Sequence, residues 1–178
     1  MQVEKATFAG GCFWCMQDPF DRWLKKGVLA TEVGYTGGSN ANPTYQDVCS
    51  GETGHAEAIQ ITFDPTLISY PQLLDLFWKN IDPTTVDQQF ADHGSQYRTA
   101  IFYHNSEQKK LALESKEALE KSGKFSSPLV TEISPASVFY KAEDYHQKYY
   151  ERNATHYKLY KKGSGRESYI HQMWDDEK

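Results

Sequence analysis

An apolar run at residues 3–9 leads into the motif Gly-Gly-Cys-Phe-Trp-Cys (residues 10–15), and a helical pattern follows it. The run has the composition of a β-strand, so the motif lies in a strand-to-helix turn. Unpaired N–H groups and the positive end of the helix dipole both favour a thiolate at such a turn. We therefore expect Cys12 to be a nucleophile with a lowered pKa.

A second thiol, Cys15, follows three positions later. Helical residues three apart lie about 5–6 Å apart between Cβ atoms, and a modest adjustment brings them within disulfide range. The pair can therefore store and release two electrons. The chain has three cysteines, and because an odd number makes a poor stabilising framework, a close pair suggests a catalytic or metal-binding role. We expect Cys49 to be a spectator.

Length and charge limit the class of protein. A chain of 178 residues can bury one hydrophobic core, and we expect a single catalytic domain over residues 1–178, with residues 161–178 as a wrapping tail. A net charge of −5 offers no surface for a nucleic acid. Neither a signal peptide nor a run of roughly 18 apolar residues is present. We expect a cytoplasmic monomer with no membrane partner.

Strand and helix patterns alternate along the chain. Strands are predicted at residues 3–9, 28–35, 57–63, 98–103 and 129–133, and helices after residue 12, over 69–78 and from 106 to about 123. Pro19 is expected to bend the first helix. This alternation is typical of mixed α/β proteins. We expect a two-layer α/β sandwich with helices on one face of a mixed sheet and long loops.

Residues 36–54 form a long polar loop, a kind of segment that often carries function, so we expect it near the site. Glu57 follows at the mouth of an apolar strand. Desolvation there would raise the pKa of its carboxyl and let it donate a proton near neutral pH. The alternative is a surface carboxylate at a strand end.

Other side chains are candidates for a pocket. Asp92, Tyr97 and Tyr45 lie in polar turns or loops, where they either hydrogen-bond a substrate or are ordinary turn residues and packed tyrosines. Phe13 and Trp14 belong either to the core or to an aromatic wall that accepts a methyl group on a soft sulfur. The residues alone leave both interpretations open.

A zinc site is another interpretation of the cysteine pair. The chain has six histidines, but the sequence contains no histidine pair and no second Cys-x-x-Cys at the spacing of a zinc site. The spacing therefore favours a site without a metal, in which His55 and His93 are polar turn residues.

Four ordered blocks resemble the type A peptide methionine sulfoxide reductase family. They are Gly-Cys-Phe-Trp (11–14), Gly-Tyr-Thr-Gly-Gly (34–38), the stretch from Asn-Pro-Thr-Tyr to Gly-His-Ala-Glu (42–57) and Asp-x-Gly-x-Gln-Tyr-Arg (92–98). The resemblance covers most of the chain. It implies a ferredoxin-like α/β sandwich, no metal or organic cofactor, and reduction of methionine S-sulfoxide, free or in proteins, with thioredoxin as the reductant.

The resemblance also implies roles for the candidate residues. Cys12 resembles the nucleophile, and Glu57 resembles the acid that protonates the sulfoxide oxygen. Phe13 and Trp14 resemble the aromatic cage that accepts the substrate methyl group, and Tyr45 and Tyr97 resemble the phenols that hydrogen-bond the sulfoxide oxygen. Asp92 resembles the polar anchor of the pocket.

The chain departs from one familiar family pattern, in which recycling cysteines lie on the C-terminal tail. The tail after residue 161 has no cysteine here. The resemblance to the subgroup whose motif also ends in cysteine leaves Cys15 as the resolving thiol, with Cys49 as the alternative. The implied cycle passes through a sulfenic acid on Cys12 and a Cys12–Cys15 disulfide that thioredoxin reopens. Position 93 is His where many relatives have Gln, and we assign it no role.

Two other classes of protein remain as alternatives. A general thiol–disulfide oxidoreductase would use the same Cys-x-x-Cys without needing Glu57 or the phenols. A non-catalytic binding module would tolerate loss of the Cys12 thiol.

Overall fold

The structure is a computed structural model that describes residues 1–175. Its strands are β1 (Glu4–Gly10), β2 (Val28–Thr36), β3 (Ala56–Phe63), β4 (Gln88–Gln89), β5 (Asp92–His93), β6 (Thr99–Tyr103), β7 (Glu132–Pro135) and β8 (Tyr140–Lys141). Its α-helices are α1 (Phe13–Asp21), α2 (Tyr45–Cys49), α3 (Tyr70–Trp78), α4 (Ser106–Lys121), α5 (Tyr149–Arg152), α6 (Ala154–Gly163) and α7 (Arg166–Trp174). Short 3-10 turns occupy Ser95–Tyr97 and Asp144–His146.

The main sheet has the strand order β7-β6-β1-β3-β2-β8. The pair β6–β7 is parallel and the other neighbours are antiparallel. Two β-α-β units, β1-α1-β2 and β3-α3-β6, interleave so that a strand of one lies between the two strands of the other. This is the ferredoxin-like arrangement, and it confirms the mixed α/β fold class predicted from the sequence.

Period-two alternation determines which side chains of the sheet face the helices. In β3, Ile59, Ile61 and Phe63 belong to a core cluster with residues of α1, α3 and α4. Ala56 and Ala58 belong to a separate cluster on the opposite face. Glu57 has the same parity as Ile59, so its side chain is directed to the helix layer, where α1 begins.

The helices begin where the sequence provides caps. Ser69 caps α3 through a capping box with Gln72, and Pro71 lies in the first turn, where its missing N–H has no helical partner to lose. Pro19 lies inside α1, and the helix ends two residues later at Asp21.

Two segments differ from the sequence-based prediction. The strand predicted at 129–133 instead runs over Glu132–Pro135, because the N–H of Val130 donates to the carbonyl of Pro83 outside the sheet. The long loop contains the short helix α2, which begins at a capping box formed by Thr44 and Asp47. The predicted C-terminal tail, 161–178, includes the end of α6 and the whole of α7, and residues 176–178 lie outside the described residues.

Across residues 1–175, the helices are too short or too polar to cross a membrane.

Candidate active site

One cavity of about 220 Å³ brings together side chains from widely separated parts of the chain. Its lining residues are Cys12, Phe13, Trp14, Tyr45, Glu57, Asp92, Tyr97 and Tyr160. Seven of these eight were candidates from the sequence. The eighth, Tyr160, comes from α6. The other sequence candidate, Cys15, is buried beside Cys12 and does not line the cavity.

The turn between β1 and α1 positions Cys12. Gly11 has a φ of +83°, and a Cβ atom there would lie 2.5 Å from Cβ of Gln89, so the turn requires glycine. Cys12 occupies the N-cap position of α1 and is 5% exposed. Its thiol is therefore almost enclosed by protein but opens onto the cavity.

The two thiols share a hydrogen bond. Burial raises the pKa of Cys12 well above its ordinary value, and the neighbouring Cys15 raises it further. The pKa of Cys15 is lowered to about 7, chiefly by the hydrogen bond from Cys12. The prediction of a lowered pKa at Cys12 is therefore wrong for the reduced resting state, because desolvation outweighs the helix dipole. Above about pH 7 the reduced pair therefore carries one negative charge, and it lies on Cys15.

Glu57 is held at the N-terminus of α1. Its Oε1 accepts a hydrogen bond from the Phe13 N–H at 3.2 Å, and the residue is 2% exposed. Burial raises the pKa of its carboxyl to about 8, and the negative charges of Asp92 and Cys15 add to the effect. The alternative of a solvated surface carboxylate is wrong. At neutral pH Glu57 holds a proton that it can donate into the cavity.

Two phenols reach the cavity from different loops. Tyr45 is the first residue of α2, and Tyr97 is the last residue of a 3-10 turn. Burial raises the pKa of both hydroxyls, and the charge of Glu57 raises them further. Both phenols therefore remain protonated donors. The Tyr45 side chain also forms a hydrogen bond with Cys49.

The C-terminal residues fix the orientation of the Trp14 ring. The ring stacks on Tyr149 with centroids 3.9 Å apart and an interplanar angle of 9°. Its indole N–H donates to Nδ1 of His146 at 3.0 Å, and Tyr160 meets it edge-on at 5.9 Å. Trp14 therefore presents a fixed aromatic surface to the cavity.

Sequence reasoning missed the residues of the C-terminal part of the chain. The Tyr160 hydroxyl donates to Oδ2 of Asp92. Glu143 accepts hydrogen bonds from the Tyr35 hydroxyl at 3.0 Å and from the Tyr45 N–H at 3.1 Å. The density of tyrosines after residue 139 was the one signal in the sequence, and it did not show which of them reaches the site.

The histidines considered for a metal lie elsewhere. Nδ1 of His55 accepts from the Gly38 N–H at 3.0 Å, and Nε2 contacts the carbonyl of Asn40 at 2.7 Å. His93 is exposed on β5. Across the described residues 1–175, no group of three His, Cys, Asp or Glu side chains is arranged to hold a metal ion.

The geometry defines a class of chemistry. A buried thiol pair opens onto a small aromatic cavity in which a protonated carboxyl and two phenols can donate hydrogen bonds to one oxygen atom. This combination suits a cysteine-dependent reductase that removes an oxygen from a small, partly apolar group.

Comparisons with known proteins give the family. The model of the family described as "Peptide methionine sulfoxide reductase" matches residues 4–178. The peptide methionine sulfoxide reductase MsrA of Bacillus pumilus is 55% identical over 173 residues, which are 97% of this chain and 96% of the relative. The chain belongs to the peptide methionine sulfoxide reductase family.

Solved structures agree with this assignment. The chain is similar to Mxr1 from Saccharomyces cerevisiae in reduced form, with a TM-score of 0.78 and 34% identity over 86% of this chain and 87% of that one. It is also similar to Mxr1 in complex with Trx2, with a TM-score of 0.57 and 28% identity over 83% of this chain and 85% of that one.

Proposed function

We propose that this protein reduces methionine S-sulfoxide, free or in proteins, to methionine and is recycled by thioredoxin. Family membership supports the substrate class. The yeast relative Mxr1 forms a complex with Trx2, which supports a thioredoxin as the reductant. The single observation that carries the mechanism is that Cys12 and a protonated Glu57 line the same cavity, while Cys15 is buried next to Cys12.

In the first step, the sulfur of Cys12 attacks the sulfoxide sulfur. The proton of Cys12 passes along its hydrogen bond to Cys15, whose sulfur carries the negative charge in the reduced enzyme. Glu57 delivers its proton to the sulfoxide oxygen, because that oxygen leaves poorly unless it is protonated. The protonated oxygen then moves as a hydroxyl from the substrate sulfur to the sulfur of Cys12, and the bond between the two sulfurs breaks. Methionine departs, Cys12 is left as a sulfenic acid, and Glu57 is left as a carboxylate.

The phenols and the cage orient the substrate for this step. Tyr45 and Tyr97 donate hydrogen bonds to the sulfoxide oxygen, where negative charge develops. Phe13 and Trp14 accept the methyl group on the sulfur, and Asp92 anchors the polar side of the pocket. With the oxygen bound by the phenols and the methyl group bound by the aromatic side chains, the sulfoxide sulfur is directed toward Cys12.

In the second step, Cys15 attacks the sulfenic sulfur of Cys12. A disulfide forms between the two residues and water leaves. The thioredoxin dithiol then reopens the disulfide by exchange. Overall, one sulfoxide and one dithiol give one methionine, one disulfide and one water. Because Cys15 lies directly behind Cys12, the chain needs no tail cysteine for this step.

The same chain supplies every group that the cycle uses. We take residues 1–178 to be one catalytic domain, since the sheet and the C-terminal helices build a single site, and a monomer is sufficient for it. A cytoplasmic location fits a reductant that keeps thiols reduced.

Replacement of Cys12 tests the assignment. Cys12→Ser should abolish methionine formation from a sulfoxide substrate, because the hydroxyl is a far weaker nucleophile than the thiol. Cys49→Ser is the matched control and should form the first equivalent of methionine at the rate of the unmodified enzyme. Measurable methionine formation by the Cys12→Ser variant would refute the proposal.

A further inference from the structure

Arg166 is a buried cation beneath the thiol pair. It begins α7 and is 2% exposed. Its Nη1 donates to the carbonyl of Asn80 at 2.7 Å, and its Nη2 donates to the carbonyl of Gly10 at 2.9 Å. Its guanidinium carbon lies 4.7 Å from the ring centroid of Phe90. The C-terminal helix therefore places a positive charge at the end of β1, at the first residue of the cysteine motif.

Among residues 1–175 this charge has no carboxylate partner. Within the described part of the chain, Arg166 bonds carbonyl oxygens and contacts the sulfur of Met16, and it forms no ion pair. A guanidinium keeps its proton, and burying an unpaired charge is costly. The positive charge of Arg166 lowers the pKa of the thiols of Cys12 and Cys15 and of the hydroxyl of Tyr157.

We infer that Arg166 is a positioning residue that stabilises the single thiolate of the reduced pair, which lies on Cys15. This inference rests on the proposed roles of Cys12 and Cys15 and deepens them. With Arg166 in place, Cys15 is ready to accept the proton of Cys12 when Cys12 attacks the substrate. The hydrogen bond between the two sulfurs is the path of that proton.

The other charges that act on Cys15 come from three neighbouring elements. Lys161 of α6 acts in the same direction as Arg166 but is partly exposed, so solvent screens it. Asp92 of β5 opposes both of them. Glu57 of β3 is protonated near neutral pH, and burial raises the pKa of Tyr157 so that its hydroxyl stays neutral. Arg166 is therefore the one enclosed positive charge beside the pair among the described residues.

The same charge affects the disulfide. Stabilising the thiolate stabilises the reduced form of the pair, so the Cys12–Cys15 disulfide is more readily reduced. Arg166 therefore favours reopening by thioredoxin as well as proton transfer in the first step.

A thiolate titration without substrate tests this inference. In a Cys49→Ser background, absorbance at 240 nm is followed against pH for the reduced minus the oxidised protein. We expect the thiolate midpoint near 7 to rise by about one unit in Arg166→Met, a loss of about fivefold in thiolate at neutral pH. Arg166→Lys keeps the positive charge, so its thiolate midpoint should stay close to that of the unmodified protein. At neutral pH the equilibrium constant for reduction of the disulfide by glutathione should fall by about twofold in Arg166→Met, equivalent to about 9 mV.

The matched control is Arg22→Met, which removes a guanidinium that is 69% exposed and pairs with Asp18. It should leave the midpoint unchanged. The inference is overturned if Arg166→Met titrates like this control, or if Arg166→Lys shifts the midpoint as far as Arg166→Met. If circular dichroism shows that Arg166→Met does not fold, the thiolate midpoint of Arg166→Lys is the deciding measurement. A rise of about one unit in that midpoint would overturn the inference. Because the titration involves no sulfoxide, its result is independent of whether Cys12→Ser abolishes methionine formation.

Discussion

The two regions around the cavity contribute different things. The N-terminal region, residues 10–97, supplies the thiols, the carboxyl and the phenols that are proposed to act on the substrate. The C-terminal segment, residues 140–175, supplies groups that hold them, such as Tyr149 against Trp14 and Arg166 beneath the thiols. The reactive groups come from a few short sequence motifs. Their orientation and their pKa values depend on contacts with residues that are distant in the sequence.

The largest effect is expected from the second thiol of the N-terminal region. Cys15→Ser should release about one methionine per enzyme and then stop in the presence of thioredoxin, because the sulfenic acid on Cys12 has lost its resolving partner. Methionine release is measured by chromatography. Cys49→Ser is the matched control and should keep turning over. Sustained thioredoxin-driven turnover by Cys15→Ser would indicate that Cys49 resolves the sulfenic acid.

The next effect concerns the proton donor. Glu57→Gln should slow single-turnover sulfoxide reduction by about 10²–10⁴-fold, the range for loss of a general acid. The amide can still accept the Phe13 N–H, so the turn should persist. Exchange of the thiol pair with a small disulfide should change little. Equal loss of both activities would favour a structural role for Glu57.

The pH dependence follows from the same carboxyl. Because the pKa of Glu57 is raised to about 8, the rate of the first step should fall as the pH rises through that value, and Glu57→Gln should lose this decrease in rate at alkaline pH.

The stability of the protein should depend on the same carboxyl. In the unfolded chain it ionises near its ordinary pKa, so between that pKa and about 8 the folded state binds more protons than the unfolded state. The free energy of unfolding therefore falls as the pH rises across this window. Urea unfolding at pH 8 should therefore find Glu57→Gln more stable than the unmodified protein, by of order 1–3 kcal/mol. A less stable variant would contradict the burial of an ionisable Glu57.

A smaller effect is expected from the C-terminal segment. Tyr160→Phe removes the hydroxyl that donates to Asp92 and should lower kcat/KM by about tenfold, the typical effect of losing one hydrogen bond to a charged group. Tyr150→Phe removes a hydroxyl that donates to Asp21 at 2.6 Å outside the cavity, and it should leave kcat/KM unchanged. If both variants lose activity equally, the segment acts through stability alone.

The smallest effect concerns the start of α2. Thr44→Ala removes half of a capping box and should lower the free energy of unfolding by about 1 kcal/mol. Because Tyr45 is the next residue, KM should rise by no more than about twofold if the helix persists. Denaturant unfolding and steady-state kinetics measure the two quantities, and a large rise in KM would show that the cap itself positions the phenol.

The sequence predicts what depends on local pattern. The bounds of α3 and α4 follow from Ser69 and from the charged amphipathic run that begins at Ser106. The strand at 129–133 was misplaced because the partner of the Val130 N–H, Pro83, is remote in sequence. Buried contacts between distant residues leave no local pattern.

Prediction of the site has the same limit, because contacts between residues distant in sequence leave no local pattern. Its motifs give the residues of the N-terminal region, but Tyr160 meets Asp92 across 68 positions and Arg166 meets Gly10 across 156. Arginine is usually exposed, so its identity in the sequence does not indicate burial. The helix dipole at Cys12 can be inferred from the sequence, whereas the burial that reverses its effect on the pKa of Cys12 requires the folded structure.

The central claim is that Cys12 attacks the sulfoxide and Cys15 resolves the product. Mass spectrometry of the unmodified enzyme after one turnover without reductant tests it most directly. We expect a disulfide between Cys12 and Cys15, with Cys49 as a free thiol and one methionine released per enzyme. A disulfide that contains Cys49, or a free Cys12 after methionine has been released, would contradict it.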